Sequence, residues 1–124
     1  MSKGKRKGTA FEVQVADYLA RALGDERIER RALNGKNDRG DIAGCSIRGR
    51  RVVIECKCHK SMKLAEWMDE AEIERGNDDA EFAFVVHKRK GCGAANMGRT
   101  YATTDLETLA ALMAGRRELL EEAE

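Results

Sequence analysis

The sequence predicts a single α/β domain over residues 1–124: a mixed five-stranded β-sheet flanked by helices, in the order αβββαββα. Three observations carry this expectation. Apolar residues recur with helical spacing at Phe11, Val15, Tyr18, Leu19, Ala22 and Leu23, and again at Leu64, Trp67, Met68 and Ala71. Two short continuous apolar runs, Val52-Val53-Ile54 and residues 82–86, suit central strands covered on both faces. With 42% hydrophobic residues, no proline and no internal repeat, the 124-residue chain has enough apolar side chains for one core and no linker to divide it.

The elements follow in order. Residues 1–8, MSKGKRKG, contain Lys5, Arg6 and Lys7 among glycines and are expected to form a mobile basic arm. A helix should run from 9 to 23, where Gly24 ends it. A weak strand at 27–33 leads into NGKNDRG, residues 34–40, whose Asn-Gly and Asp signals predict a turn carrying Lys36 and Arg39. Strands at 41–47 and 51–58, joined tightly at 48–50, should form a hairpin that sets Asp41 beside Glu55. The second helix stops at Gly76-Asn77, and the next strand is 82–86. Residues 91–98 form a loop and 100–103 a last strand. Thr104 and Glu107 have capping-box spacing for a helix ending near Gly115, and residues 116–124 continue as a short helix.

The formal net charge of +1 conceals a division. Residues 1–60 hold 15 Lys+Arg against 8 Asp+Glu, whereas residues 61–124 hold 8 against 14. A second basic island, residues 87–101, holds Lys88, Arg89, Lys90 and Arg99 without an acid. Localised positive surface of this kind suits a phosphate backbone. No apolar signal-peptide core or membrane-length segment is present, so a cytoplasmic protein with reduced thiols and no membrane partner is expected.

Residues 51–58 carry the chemistry. Side chains alternate along a strand, so Val53, Glu55, Lys57 and His59 share one face while Ile54, Cys56 and Cys58 share the other. The first face begins apolar and ends charged, as a strand does when its end enters a cleft. Asp41 and Glu55 on neighbouring strands repel each other unless a divalent cation lies between them, and oxygen ligands select Mg²⁺ or Mn²⁺. Lys57 can then hold the attacking water or neutralise phosphate charge, an arrangement suited to phosphodiester hydrolysis. An E-x-K triplet alone is common by chance; its position at the end of the most strand-like segment, paired with an upstream Asp, gives it weight. Against this stand blander readings. Thr9 and Glu12 have the spacing of a capping box, Asp41 can simply end a turn, and Glu55 with Lys57 can be a cross-strand ion pair. Cys56, Cys58 and His59 lack the second ligand pair of a zinc site, so no zinc is expected.

GDIAG followed by VVIECKCHK resembles the D-(x)n-E-x-K core of PD-(D/E)XK nucleases, with Gly40 where the motif name has Pro. KGTAFEVQVADYLARAL resembles the first helix of archaeal-type Holliday junction resolvases, and LAEWMDEAE with FVVHKRKG resembles small phage resolvases. The resemblance implies a restriction-endonuclease-like fold and a Mg²⁺-dependent endonuclease acting on branched or four-way-junction DNA, leaving a 5′-phosphate and a 3′-hydroxyl. It implies Glu12, Asp41, Glu55 and Lys57 as catalytic residues. Asp41, Glu55 and the Cys56 carbonyl would hold the metal, and Glu12 would hold a second metal directly or through water. Lys5, Arg6, Lys7, Lys36, Arg39, His59, Lys60, Lys88, Arg89 and Lys90 are the expected DNA contacts. Paired cuts in a junction require two copies of the site, hence a homodimer, for which Leu106, Leu109, Leu112, Met113, Leu119 and Leu120 offer apolar surface. Two rivals stand beside this reading: a relative that nicks or degrades flap, duplex or single-stranded DNA, and a non-catalytic DNA-binding module.

Overall fold

The computed structural model of the chain describes residues 3–32 and 38–118. A mixed four-stranded sheet lies between helices, and a short two-stranded sheet stands beside it. Helix α1 is Lys3–Leu23, α2 is Leu64–Asn77 and α3 is Leu106–Ala114. The strands are β1 Glu29–Arg30, β2 Ile42–Ala43, β3 Ser46–Ile47, β4 Arg50–Lys57, β5 Phe82–His87 and β6 Tyr101–Thr103. The main sheet has the order β3-β4-β5-β6, with β4 and β5 parallel and both outer pairs antiparallel. Parallel pairing of β4 with β5 needs a crossover, which α2 supplies.

The alternation read along β4 places the core. Val52, Ile54 and Cys56 pack with Phe11, Val15 and Ala16 of α1, while Val53 packs with Trp67 and Ala71 of α2. Each face of the sheet therefore has its own apolar cluster, which is why residues 52–54 read as a continuous run.

Several boundaries depart from expectation. Helix α1 starts at Lys3 rather than at residue 9, so residues 3–8, expected as an arm, are wound into it. Thr9 is thereby inside the helix and caps nothing. The apolar stripe of α1 is narrower than its sequence suggests, since Tyr18 and Leu23 are exposed. The expected strand at 41–47 is broken into β2 and β3, because Gly44 has a positive φ of 84° and passes against the Arg27 carbonyl, where any Cβ would collide. With β2 turned toward β1, the expected five-stranded sheet becomes four strands plus two. The tight hairpin turn is present but one residue shorter than the expected 48–50: Arg48 and Gly49, both with positive φ, make it, and Arg50 already opens β4. Residues 94–99 in the expected loop region form two short 3-10 turns that meet at a kink at Asn96. Asp105, not Thr104, caps α3: its side chain accepts the Thr108 amide at 2.8 Å. The short helix expected over 116–124 lies mostly outside the described residues. All four cysteines are free thiols. Among the described residues, no helix is long and apolar enough to cross a membrane.

Candidate active site

The C-terminal half of β4 carries Glu55 and Lys57 on the face toward α2. Asp41 precedes β2, and its amide donates to the Ile54 carbonyl at 2.8 Å, so the segment runs beside β4 although the expected strand is broken. Its Oδ2 accepts the Cys56 amide at 2.7 Å, which fixes the carboxylate against Glu55. The Gly40 position that precedes it has φ 95°, a conformation closed to proline, so glycine here is a requirement of this backbone.

Two further acids complete the group. Glu74 comes in from α2, and Asp38 from the turn before β2. Oxygens of Asp38, Glu55 and Glu74 all lie within 4.8 Å of one another; Asp41, which touches Glu55, is outside this set. Asp38 is held by its own backbone, its Oδ1 accepting the Gly40 amide at 2.9 Å and its carbonyl accepting Asn77 Nδ2 at 2.8 Å. Asp41, Glu55 and Glu74 are 7%, 6% and 4% exposed, whereas Asp38 is exposed, so three buried acids meet solvent on the Asp38 side.

The electrostatics follow from that crowding. Burial, then the Glu55 charge, push the Asp41 carboxyl well above its ordinary range, against the lowering effect of the Cys56 amide. Burial and hydrogen bonding to Glu74 raise Glu55 to about 9. Burial also raises Glu74 to about 7, where sharing a proton with Glu55 lowers it and Asp38 raises it. Buried carboxyls in contact must share protons or a cation. Among the described residues, Glu55 Oε2 and Glu74 Oε2 are buried without a hydrogen-bond partner. The oxygens of Asp38, Glu55 and Glu74 are hard ligands of the kind Mg²⁺ and Mn²⁺ take, so the group could hold such a cation.

Lys57 Nζ lies 3.6 Å from Glu55 Oε1 and 2.6 Å from Glu70 Oε2. Burial lowers its pKa, but the Glu70 hydrogen bond and the Glu55 charge outweigh this, so it is held as a cation at the mouth of the site.

The structure therefore brings Asp41, Glu55 and Lys57 together, as the strand pattern predicts. Glu12 is peripheral: its Oε2 pairs with Arg30 Nε at 2.8 Å, close enough to Asp41 and Cys56 for its charge to raise both, but outside the tight oxygen group. The expected DNA contacts divide. Lys7, His59, Lys60, Lys88 and Lys90 line one groove with Phe11 and Gln14. Arg6 is exposed on α1, and Arg89 lies over the Tyr101 ring, 4.8 Å from its centroid. Arg39 lies on another surface, and Lys36 and the Lys5 side chain are outside the described residues. Sequence reasoning missed Asp38, Glu70 and Glu74. For Glu74 a signal existed: Trp67, Ala71 and Glu74 fall at i, i+4 and i+7, so an acid stands on the buried stripe of α2.

No family model, no curated protein and no solved structure matches this chain.

Proposed function

We propose that the protein is a metal-dependent DNA endonuclease of the PD-(D/E)XK kind, similar to Holliday junction resolvases and with a restriction-endonuclease-like core. The observation that carries this reading is the joint placement of Asp41, Glu55 and Lys57 at the end of a buried strand, with Glu74 and Asp38 closing an oxygen-lined site. Three buried acids in one group, with a lysine beside Glu55, are more than a structural ion pair requires, and such clustering is costly unless used.

Asp41, Glu55, Glu74 and Asp38 would hold the metal, with the Cys56 carbonyl as a further oxygen. A bound Mg²⁺ or Mn²⁺ would neutralise charge on the phosphate and acidify the attacking water. The Cys56 amide keeps Asp41 in its rotamer, so the carboxylate is oriented before substrate arrives. Lys57, once released from Glu70, presents its ammonium to the water or to a phosphate oxygen. Water attacks phosphorus and the bond to the 3′ oxygen breaks, leaving a 5′-phosphate and a 3′-hydroxyl. Glu12, tied to Arg30, would tune the site or hold a second metal. The lysine groove at the carboxyl ends of β4 and β5, where open α/β sheets receive ligands, would carry the DNA backbone.

Cleavage of a panel of four-way junction, flap, duplex and single-stranded DNA with Mg²⁺ or EDTA tests the reading. Asp41→Asn, Glu55→Gln and Lys57→Ala should each abolish cleavage while DNA affinity stays within about threefold, because affinity comes from Lys and Arg contacts to phosphate. Preference for the junction supports the resolvase assignment, and preference for another substrate supports the nicking-nuclease rival. Absence of metal-dependent cleavage on every substrate leaves the DNA-binding module.

A further inference from the structure

The acid cluster does not use a second pocket of about 430 Å³, bounded by the segment around β1, the break at Gly44-Cys45 and the start of β4. Arg27, Arg31, Arg39 and Arg51 line it, with Asp78 as the acid among its lining residues. Two of these arginines are fixed. Arg27 Nε and Nη2 bond both oxygens of Asp25 at 3.0 and 2.9 Å, and Arg51 Nη1 donates to the Asp78 carbonyl at 2.7 Å. The other two are under-used. Arg39 is 3.8 Å from the Asp78 carboxylate, and Arg31 Nε is buried with no hydrogen-bond partner among the described residues.

A buried donor of a charged group left without a partner is costly, and an anion supplied from outside would remove that cost. Four guanidiniums face two carboxylates, Asp25 and Asp78, so the pocket keeps excess positive charge. Planar guanidinium forks suit the tetrahedral oxygens of phosphate.

The pocket adjoins the acid cluster by two routes. Asp38 belongs to the cluster and Arg39, the next residue, to the pocket. On the other side, Glu74 belongs to the cluster, and Asp78, whose amide donates to the Glu74 carbonyl at 2.9 Å, borders the pocket. Asp78 follows Glu74 by one helical turn, so the two sites share the end of α2. Arg27 and Arg39 have side chains 82% and 52% exposed, so the pocket is open at its rim and can admit a phosphate that remains part of a chain.

We propose that this arginine pocket is a phosphate site, and that it anchors a phosphodiester of the strand on which the acid cluster acts. The identity of the strand rests on the nuclease reading above; the phosphate chemistry does not.

Inorganic phosphate and a short DNA duplex, titrated separately into the ¹⁵N-labelled full chain in EDTA, test the proposal through the arginine Nε–H signals. The Arg31 signal should move saturably with each probe, and phosphate added after the duplex should move it no further. Arg27→Ala, on the exposed rim, should weaken duplex binding about threefold to tenfold and make the salt dependence shallower by about one unit. Arg31→Lys keeps the charge but loses the fork, and should weaken binding, though less than Arg31→Gln, which loses both. No saturable shift with either probe overturns the site. A shift with phosphate that the duplex neither produces nor competes with overturns the strand as its occupant. This readout does not depend on cleavage: if the substrate panel above shows no metal-dependent activity and the Arg31 signal still responds, the nuclease reading fails and the phosphate site stands.

Discussion

Glu74 separates a metal site from an accident of burial more sharply than any other single residue. It stands on the buried stripe of α2, one turn beyond Ala71, and one of its oxygens is buried without a partner among the described residues. In the metal-free protein it adds repulsion to Glu55; with a cation bound it becomes a ligand. Glu74→Gln should therefore have opposite effects on the two states. Calorimetric titration should show Mn²⁺ affinity reduced by at least about tenfold, the scale on which perturbed metal sites respond. Thermal melts in EDTA at about pH 8 should show the variant more stable than the parent, since a neutral amide removes a charge from an environment that disfavours charge. A variant less stable in EDTA and unchanged in Mn²⁺ affinity would make Glu74 an ordinary structural acid. Lys57 reports on the same site from the other side, since its contact with Glu70 must open before the ammonium can serve a phosphate.

The break between β2 and β3 is the element on which the site depends. Gly44 allows the chain to leave β4 and return, so that Asp41 approaches Glu55 from outside the main sheet while β3 closes the hairpin. Gly44→Ala combines a left-handed φ with a Cβ pressed against the Arg27 carbonyl, and should destabilise the fold by more than about 1 kcal/mol in denaturant melts. This break also marks where the sequence ceases to be legible. The alternation of residues 51–58, the two faces of β4 and the pairing of Asp41 with Glu55 are local or near-local, and the apolar pattern records them. Gly44 in the expected strand gives no hint that a remote carbonyl forbids a side chain there. Asp38 likewise looks like any turn residue, because only tertiary packing brings it to Glu74. Helix α3 raises a different question. Its Leu106, Leu109 and Met113 are 79%, 45% and 82% exposed along one face, while Leu112 packs on the core; Leu119 and Leu120 lie outside the described residues. If that face joins two copies as paired cleavage requires, light scattering at micromolar concentration should give about twice 13.8 kDa, and Leu106→Glu with Met113→Glu should give a monomer. A parent protein that is monomeric yet fully active on junctions would remove the paired-cut reading.

At the scale of the whole molecule, the acid cluster ties stability to pH and metal together. Glu55 and Glu74 have ordinary values of 4.5, and in the fold they rise to about 9 and about 7; Asp41 rises as well. A carboxyl whose pKa is higher folded than unfolded binds more protons in the folded state, so its favourable contribution is present at low pH and lost as pH rises through the folded value. The metal-free protein should therefore lose stability steadily from about pH 4.5 to about pH 9. His87 acts in the opposite sense, because burial lowers its pKa from 6.5, and the half-buried Cys45 thiol, raised by desolvation, starts to contribute only near its ordinary 9.0. Between about pH 7 and about pH 8.5 the acid cluster dominates the slope. Melts in EDTA should show Tm falling across that window, and Glu74→Gln should flatten the fall. A divalent cation binds the ionised form that high pH populates, so its stabilising effect should grow with pH as the EDTA curve declines. At a hundredfold excess over Kd the gain is about 2.7 kcal/mol, on the order of 10 °C for a domain of this size. The Mn²⁺-induced rise in Tm should thus be larger at about pH 8.5 than at about pH 7 and absent from Glu55→Gln. A rise independent of pH, or one that survives in Glu55→Gln, would place the cation elsewhere and leave the buried acids without the ligand their geometry fits.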